Sequence, residues 1–319
     1  MFKKIVESMA AKYPGAGPFL RSVTTKLPGL GPVIAQNKQL LRACGFWPPG
    51  HFYSPIPPWD EIKQDASRIF GGSSPREFPG IDMREAQQLE LLKEFCRYYT
   101  DQPFTAQKKS GNRFCFENPA YSYSDALMLH CMLRHVRPRR LVEVGSGYST
   151  CATLDTDEQF LGGSLELTLV EPYPKLLYSL ISDEDRKKIR VVPSRLQAVD
   201  LDVFESLEKN DILFVDSTHV SRVDSDVNRV FFEILPRLKS GVFVHFHDVF
   251  FPFEYPRQWV FEGRAWNELY LLRAFLQFNR AFNVVLMNTF MAHFHESFFR
   301  ENMPLCLRNK GGSIWLEKT

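Results

Sequence analysis

The stretch that decides the fold runs Leu141-Val-Glu-Val-Gly-Ser-Gly-Tyr-Ser-Thr150, an apolar strand that enters a glycine turn. A second apolar run, Leu165-Glu-Leu-Thr-Leu-Val170, ends directly on Glu171. A tight glycine turn brings the backbone close to a ligand, and an acid that ends the neighbouring strand can bind a ribose diol. Together the two runs predict a crevice that binds a nucleoside.

Strand and helix patterns alternate on the C-terminal side of Arg140. Continuous apolar runs such as Ile212-Leu-Phe-Val215 are typical of parallel strands covered on both faces. We predict strands at 141–144, 165–170, 190–193, 211–215, 241–246, 283–288 and 313–317, and helices at 149–155, 173–181, 202–208, 225–238 and 265–279. This order predicts an α/β fold, a doubly wound, Rossmann-like sheet of seven mostly parallel strands.

The chain divides into three predicted segments. Residues 1–80 are rich in Pro and Gly and predict an irregular N-terminal extension with short helices. Residues 81–139 predict a helical lead-in, because apolar side chains recur there at helical spacing. Residues 140–319 carry the strand–helix alternation and form the predicted nucleoside-binding domain.

Charge and composition restrict the partners and the compartment. The net charge of +2 gives no reason to expect a nucleic-acid partner. No apolar run approaches the ~20 residues that span a bilayer, and no cysteine pair has CxxC spacing. We therefore expect a cytoplasmic protein without a transmembrane segment. The basic N-terminal arm, residues 1–45, predicts a solvated segment packed on its own domain or on a second subunit of a homodimer, in preference to a membrane-surface or targeting role.

The glycine turn departs from a dinucleotide site. Such a site has a third glycine that allows close helix–strand packing, and Thr150 stands at that position. Glu143, two residues before the turn, adds a carboxylate from which a pyrophosphate would gain nothing. A ligand with a free ammonium group would gain from it, and the amino-acid part of S-adenosylmethionine carries such a group.

The segment Val142-Glu-Val-Gly-Ser-Gly147 resembles motif I of the class I S-adenosylmethionine-dependent methyltransferases. Glu171 matches the acid that closes the second strand of that family and binds the ribose hydroxyls. The resemblance implies that four residues surround the methionine part of the cofactor: Glu143, Gly145, Ser146 and Gly147. It also places Gln197 near the adenine, and Tyr123 is expected to approach the cofactor from the helix before the first strand.

Acids and histidines follow the fourth and fifth predicted strands. Asp216 and His219 follow the fourth strand, and His247 and Asp248 end the fifth. The carboxyl ends of parallel strands form the ligand-binding edge of open α/β sheets. A similar layout occurs in small-molecule O-methyltransferases of the catechol and macrocin types, which implies that Asp216, His247 and Asp248 correspond to their metal-binding triad.

One residue departs from that triad. His247 stands where a carboxylate is usual, and Mg²⁺ prefers oxygen ligands. With His219 added, the set suits Mn²⁺, Fe²⁺ or Zn²⁺ about as well. The sequence leaves open whether a divalent metal is bound.

Methyl transfer requires alignment of the acceptor atom and removal of its proton. A histidine with a pKa near the operating pH can remove the proton, and so can a metal that lowers the pKa of a hydroxyl. We expect His219 and His247 to be the candidate bases and Asp216 to orient them or to bind metal. His245 is left out because strand alternation turns it to the packed side.

The segment 250–266 contains more aromatic and proline residues than a solvated loop would. It predicts a substrate wall with polar and aromatic contacts from Tyr255, Arg264, Trp266 and Asn267. Core packing against the last helix is the alternative interpretation.

The residues together predict an S-adenosylmethionine-dependent methyltransferase that acts on a small molecule or glycan, at oxygen in preference to nitrogen. Two alternatives stay open. One is a metal-dependent oxygenase or hydroxylase on a methyltransferase-like sheet, with His219, His247 and an acid around the ion. The other is a noncatalytic binding module.

Overall fold

The computed structural model describes residues 47–72 and 74–319, which form two compact units that part after Gly72. Over residues 47–72 the first unit has two short helices, Trp59–Gln64 and Ala66–Phe70. The basic N-terminal arm lies outside the described residues. The predicted segment boundaries after residues 80 and 139 stay predictions.

The second unit contains a seven-stranded sheet in the order β3-β2-β1-β4-β5-β7-β6. Its strands are β1 Arg140–Val144, β2 Glu166–Val170, β3 Arg190–Val192, β4 Ile212–Val215, β5 Phe243–His247, β6 Phe282–Met287 and β7 Ser313–Lys318. The pairings among β1 to β5 are parallel, and β7 runs antiparallel to both β5 and β6. The predicted seven-stranded, mostly parallel α/β sheet is confirmed.

The central strands position the site. Every residue of β4 is buried, as expected for a parallel strand covered on both faces. In β1 the residues after Arg140 are buried too, and the strand pairs with β2 on one side and β4 on the other. The carboxyl ends of β1, β2 and β4 therefore meet at one edge of the sheet.

Helices connect the strands. In the second unit the α-helices span Glu85–Tyr99, Tyr123–Val136, Tyr148–Thr156, Lys175–Leu180, Asp183–Lys188, Asp202–Glu205, Asp226–Arg229, Arg257–Phe261, Glu268–Leu276, Asn288–Phe294 and Glu296–Asn302. In the helical lead-in, Leu92 and Phe95 are fully buried. The apolar spacing there thus marks a face packed into the core.

Two predicted helices differ most from the structure. The helix predicted at 225–238 is α-helical only over Asp226–Arg229 and continues as π-helix Val230–Ile234 and 3₁₀-helix Leu235–Arg237. Pro236 lacks an amide hydrogen and disfavours a regular last turn. The helix predicted at 265–279 begins later, at Glu268, because the amides of Asn267 and Glu268 donate hydrogen bonds to the carbonyl of His219.

None of the helices described, over residues 47–72 and 74–319, combines the length and the apolar character needed to cross a bilayer.

Candidate active site

The glycine turn after β1 lies between the ends of β2 and β4. The Gly145 amide donates to the Val170 carbonyl at 3.0 Å, and the Asp216 amide donates to the Val144 carbonyl at 2.9 Å. Gly145 has φ +81°, and a Cβ atom there would lie 1.8 Å from the Asp216 carbonyl oxygen. The position therefore requires glycine because β4 approaches so closely.

Glu143 lies buried beneath this turn. Its carboxylate accepts hydrogen bonds from the hydroxyls of Ser149 and Thr150, the latter at 2.7 Å. Burial raises the pKa of Glu143 to about 8, although both hydroxyl bonds act in the opposite direction. Thr150, which replaces the third glycine of a dinucleotide site, also accepts from the Gly147 amide at 3.2 Å. The threonine thus fastens the acid and the turn together.

Glu171 stands at the end of β2 and faces the turn. One carboxylate oxygen accepts from the Ser146 amide at 3.2 Å, and the other accepts from the Tyr173 amide at 2.7 Å. These bonds hold the carboxylate at the rim of the sheet, where each oxygen keeps a further lone pair. That orientation suits a diol.

A cavity of about 420 Å³ opens between these strand ends, within the ~300–1,000 Å³ typical of small-molecule sites. Four predicted site residues line it: Gly145, Glu171, Gln197 and Asp216. Its wall also contains residues that the sequence reasoning missed, including Tyr173, Arg195, Thr218, Arg222, Asp224 and Asp226. The loop after β4 supplies most of these, and a motif search centred on the first two strands does not reach it.

Two serine hydroxyls beside the cavity indicate whether the site suits a polar cofactor. The Oγ atoms of Ser146 and Ser217 are buried, and neither has a hydrogen-bond partner among the described residues. Buried hydroxyls of this kind are normally satisfied, so a ligand with polar groups would relieve them. The glycine turn, the Glu171 carboxylate and these hydroxyls together fit S-adenosylmethionine.

The predicted adenine and tyrosine contacts lie in different places. Gln197 lines the cavity, and its amide donates to the Asp224 carbonyl at 2.6 Å. Tyr123 stacks on Phe116 and donates its hydroxyl proton to Glu117, and it is not among the cavity-lining residues. A cofactor role for Tyr123 stays a prediction that no contact seen here supports.

At Asp216 the cavity adjoins a group of possible metal ligands: one atom each from Asp216, His219 and Asp248 lie within 4.8 Å of one another. His219 Nε2 is 3.3 Å from an Asp216 oxygen and 3.4 Å from an Asp248 oxygen. His219 Nδ1 is 2.8 Å from Glu268 Oε2. We call these four residues the acid–histidine cluster. About a third of the Asp216 side chain is exposed (33%), and the His219 side chain is 6% exposed.

The charges in the cluster depend on one another. Burial lowers the pKa of His219, but Asp216, Glu268 and Asp248 outweigh burial and raise it to about 10. For Asp216, burial acts to raise the pKa, but His247 and His219 outweigh it and the pKa falls. At neutral pH, His219 is therefore an imidazolium that donates to ionised Asp216.

Backbone conformation brings the cluster together. His219 and Asp248 both have left-handed φ values, +58° and +57°, which are uncommon for residues with side chains. The amides of Asn267 and Glu268 donate to the His219 carbonyl at 3.0 and 3.1 Å. These bonds offset the cost of the left-handed residue, and strained positions of this kind are concentrated at functional sites.

His247 lies beside the cluster, outside the group of three. It shares a strand face with His245, and its ring centroid is 5.0 Å from that of Tyr121. Its Nε2 is 3.5 Å from an Asp248 oxygen, and its Nδ1 is buried without a partner among the described residues. Roles for His247 as base or metal ligand stay predictions.

His245 is fully buried, but it lies on the same face of β5 as His247, because residues two apart on a strand share a face. Strand alternation therefore does not separate the two histidines. The His245 ring stacks on Phe214 with centroids 4.0 Å apart and lies 4.6 Å from the ring of Trp315.

Two of the predicted substrate residues, Tyr255 and Trp266, belong to a connected set of aromatic rings, which we define as the aromatic wall: Phe250, Tyr255, Trp259 and Trp266. Trp266 lies against His219, with ring centroids 4.5 Å apart. The Arg264 guanidinium lies 4.0 Å from the Trp259 ring centroid and 5.2 Å from that of Trp266. The aromatic wall therefore contacts the acid–histidine cluster through Trp266 and His219.

Two predicted substrate residues are engaged within the protein. Asn267 accepts from the Ser221 amide at 2.6 Å and donates to the Ser221 carbonyl at 3.2 Å. The buried Tyr255 hydroxyl accepts from the Leu269 amide at 3.2 Å. Substrate contacts by these two side chains stay predictions, although their protein contacts indicate a structural part.

The sequence reasoning missed Glu268 altogether. The residue opens an apolar helix, where an acid is ordinary for a first turn. Its position could have indicated a role, because Glu268 directly follows Trp266 and Asn267, two residues predicted to contact the substrate.

Known proteins are similar to this chain over the segment that forms the cavity. Residues 142–249 match a family model described as a methyltransferase domain. An uncharacterized protein from Archaeoglobus fulgidus is 34% identical over 172 residues, which span 51% of this chain and 75% of that protein.

Solved structures with similar chains include methyltransferases. The S-adenosylhomocysteine-bound methyltransferase PaMTH1 from Podospora anserina is 15% identical, with 82% of this chain and 96% of that chain covered and a TM-score of 0.40. The O-methyltransferase TomG from Streptomyces achromogenes, in complex with S-adenosylmethionine, is 14% identical, with 82% and 97% covered and a TM-score of 0.38.

Proposed function

We propose that the chain is a class I S-adenosylmethionine-dependent methyltransferase that methylates a hydroxyl oxygen of a small molecule or glycan. Asp216 carries this proposal because it belongs to both sites. It lines the cofactor cavity, and its carboxylate is 3.3 Å from His219 in the acid–histidine cluster. A hydroxyl bound to Asp216 would therefore lie beside the cofactor.

Asp216 and His219 have distinct parts in this proposal. Asp216 is ionised, faces the cavity and accepts the hydrogen bond of the acceptor hydroxyl, which aligns the oxygen for in-line attack on the methyl group. His219 is a cation in the ligand-free cluster, since its pKa is raised to about 10. It stabilises negative charge that develops on the acceptor oxygen, and the carboxylates around it receive the proton.

The cluster also has ligands for a divalent ion. Asp216, His219 and Asp248 would hold it through two carboxylates and one imidazole, a set that suits Mn²⁺, Fe²⁺ or Zn²⁺. The ion and the proton compete for the same lone pair of His219 Nε2. When bound, such an ion would lower the pKa of the acceptor hydroxyl.

The oxygenase alternative gains little support from this geometry. It requires two histidines and one acid around an ion, whereas the group of three contains one histidine. Stoichiometric iron in the purified protein would favour it.

The acceptor class follows from the aromatic wall. Trp266 lies against the His219 ring, and Trp259 lies beside Trp266, with ring centroids 4.5 and 5.4 Å apart respectively. Aromatic faces together with hydrogen-bond acceptors suit a polyhydroxylated ring, either aromatic or sugar. A cytoplasmic site of action and a homodimer belong to the same proposal and rest on the sequence alone.

A direct test supplies methyl-labelled S-adenosylmethionine with a panel of phenols, catechols and sugars. Mass spectrometry of the products and measurement of S-adenosylhomocysteine identify the acceptor and the methylated atom. The assay is repeated after chelator treatment and after addition of Mn²⁺, Zn²⁺ or Mg²⁺. Methylation at an oxygen supports the proposal, and methylation only at nitrogen contradicts it.

A further inference from the structure

Glu268 is a buried carboxylate that lies outside the lining of the cofactor cavity. It is the first residue of the helix Glu268–Leu276 and is only 2% exposed. Its Oε2 lies 2.8 Å from His219 Nδ1, the shortest contact in the acid–histidine cluster. Its Oε1 is buried and has no hydrogen-bond partner among the described residues.

We propose that Glu268 is a positioning residue for methyl transfer, which holds the His219 ring so that Nε2 faces Asp216 and Asp248. This inference rests on the proposed function, because it takes the cluster as the place where the acceptor hydroxyl binds.

Imidazole chemistry gives the first reason. A histidine ring has two nitrogens, and the partner of one decides what the other can do. With Nδ1 bonded to Glu268, Nε2 is the atom left for the two aspartates, at 3.3 and 3.4 Å. Without Glu268, the ring could turn about its bond to Cβ and direct carbon at the aspartates instead.

The same short segment also holds the backbone of His219. The amides of Asn267 and Glu268 bind the His219 carbonyl, and the Asn267 side chain binds both backbone groups of Ser221. Trp266 covers one face of the ring. Residues 266–268 therefore determine the position, the tilt and the hydrogen bonding of His219.

Packing energetics give the second reason. A buried carboxylate costs several kcal/mol of desolvation unless partners satisfy it, and apolar replacements of buried ion pairs are often neutral or stabilising. Glu268 has one oxygen unsatisfied, and burial raises its pKa. An apolar pair at positions 219 and 268 would serve stability as well, so orientation of His219 accounts better for the acid.

The arrangement serves the cluster with or without an ion. Histidines that bind metals commonly donate their other ring N–H to a carboxylate, and loss of that carboxylate typically weakens metal binding or activity by roughly 10- to 100-fold. Glu268 has that relation to His219.

The test compares Glu268→Leu and Glu268→Gln with the full-length wild-type protein. NMR of protein labelled with ¹⁵N in the histidine rings detects the Nδ1–H proton of His219, which is assigned by its absence in His219→Gln. The leucine variant should lose this hydrogen-bonded resonance. The glutamine variant, which keeps an acceptor oxygen, should retain it at a shifted position. Glu233→Leu, at a half-buried acid paired with Arg229, should leave it unchanged.

Mn²⁺ titration gives a second readout. The leucine variant should bind Mn²⁺ roughly 10- to 100-fold more weakly than wild type, with a smaller loss in the glutamine variant. Calorimetry with S-adenosylmethionine checks that each variant is folded, since Glu268 does not line the cavity.

An unchanged His219 resonance in a folded Glu268→Leu protein overturns the inference. If the leucine variant does not bind S-adenosylmethionine, the glutamine variant decides, and an unshifted resonance there overturns it. Failure of the proposed function gives a different set of results. If no hydroxyl acceptor is methylated or wild type binds no Mn²⁺, the NMR comparison still reports whether Glu268 holds His219.

Discussion

The cofactor cavity is lined by the segments that follow β1, β2, β3 and β4, whereas the acid–histidine cluster is assembled from side chains as far apart in the sequence as Asp216 and Glu268. In the cavity, Gly145 and Ser146 contribute backbone, and Glu171 is held by backbone amides. In the cluster, buried carboxylates surround one imidazole. The two regions meet only at Asp216, which teaches that cofactor binding and chemistry can be perturbed separately here.

The largest expected effect comes from Gly145→Ala. The added Cβ would lie 1.8 Å from the Asp216 carbonyl oxygen, and φ +81° strains any side chain, so the end of β4 must move. Calorimetry should show no binding of S-adenosylmethionine. Gly163→Ala is the matched control, since Gly163 has φ +68° and nothing within 4 Å of the added atom. Normal binding by Gly145→Ala would contradict the account of the turn.

Asp216→Asn should separate the two regions. The change keeps the backbone that supports Gly145 but removes the carboxylate from His219, so cofactor affinity should change little. Turnover should fall by roughly 10²- to 10⁴-fold, as is typical for loss of a proton-transfer group. The measurement is S-adenosylhomocysteine formation with the acceptor found in the panel.

Asp224→Asn is the control for that experiment, because it alters another side chain of the same cavity. It should keep turnover near wild type. An equal loss of turnover in both variants would show that Asp216 has no distinct part in methyl transfer.

The cluster also makes stability depend on pH. His219 has a pKa of about 10 in the folded protein against an ordinary value of 6.5, so folding favours its protonated form. That stabilisation is fully present below about pH 6.5 and is lost as pH rises through about 10, with a size on the order of a few kcal/mol.

Urea denaturation of wild type should therefore show a falling free energy of unfolding between pH 7 and 10. His219→Gln should flatten this fall, and His293→Gln, at an exposed histidine, should not. The same slope in all three proteins would show that His219 is not the charged centre of the cluster.

The smallest effect concerns Glu143 in the cofactor region. Its pKa of about 8 leaves it largely protonated at pH 7, and the ammonium group of a bound cofactor would favour the ionised form. Binding at pH 7 should release a fraction of a proton, and affinity should rise as pH rises through about 8.

Calorimetry in two buffers with different ionisation enthalpies measures the released protons. Thr150→Val removes a hydrogen bond that lowers the pKa of Glu143, so its proton release should move to higher pH. Buffer-independent heats in both proteins would place the ammonium group away from Glu143.

Much of the fold and of the cofactor region could be predicted from the sequence because their signals are local. Apolar strands in regular alternation with helices predict the sheet, and the glycine turn and Glu171 predict the crevice. Thr150, which departs from the dinucleotide pattern, forms a hydrogen bond to Glu143 that only the structure reveals.

The cluster was harder to predict because its members meet through backbone conformations that have no simple signal. The left-handed φ values of His219 and Asp248 set the directions of their side chains, and strand alternation turns His247 toward Tyr121. The contact from Glu268 depends on where a helix begins after an irregular aromatic segment. Sequence spacing alone predicted Asp216 and Asp248 but not Glu268, the partner of His219 Nδ1.

The most direct measurement of the central claim is a crystal structure with S-adenosylmethionine or S-adenosylhomocysteine bound. The account predicts the ribose on Glu171, the adenine next to Gln197, and the sulfur on the side of the cavity formed by Asp216. A nucleoside bound elsewhere, or a sulfur directed away from Asp216 and the acid–histidine cluster, would contradict it.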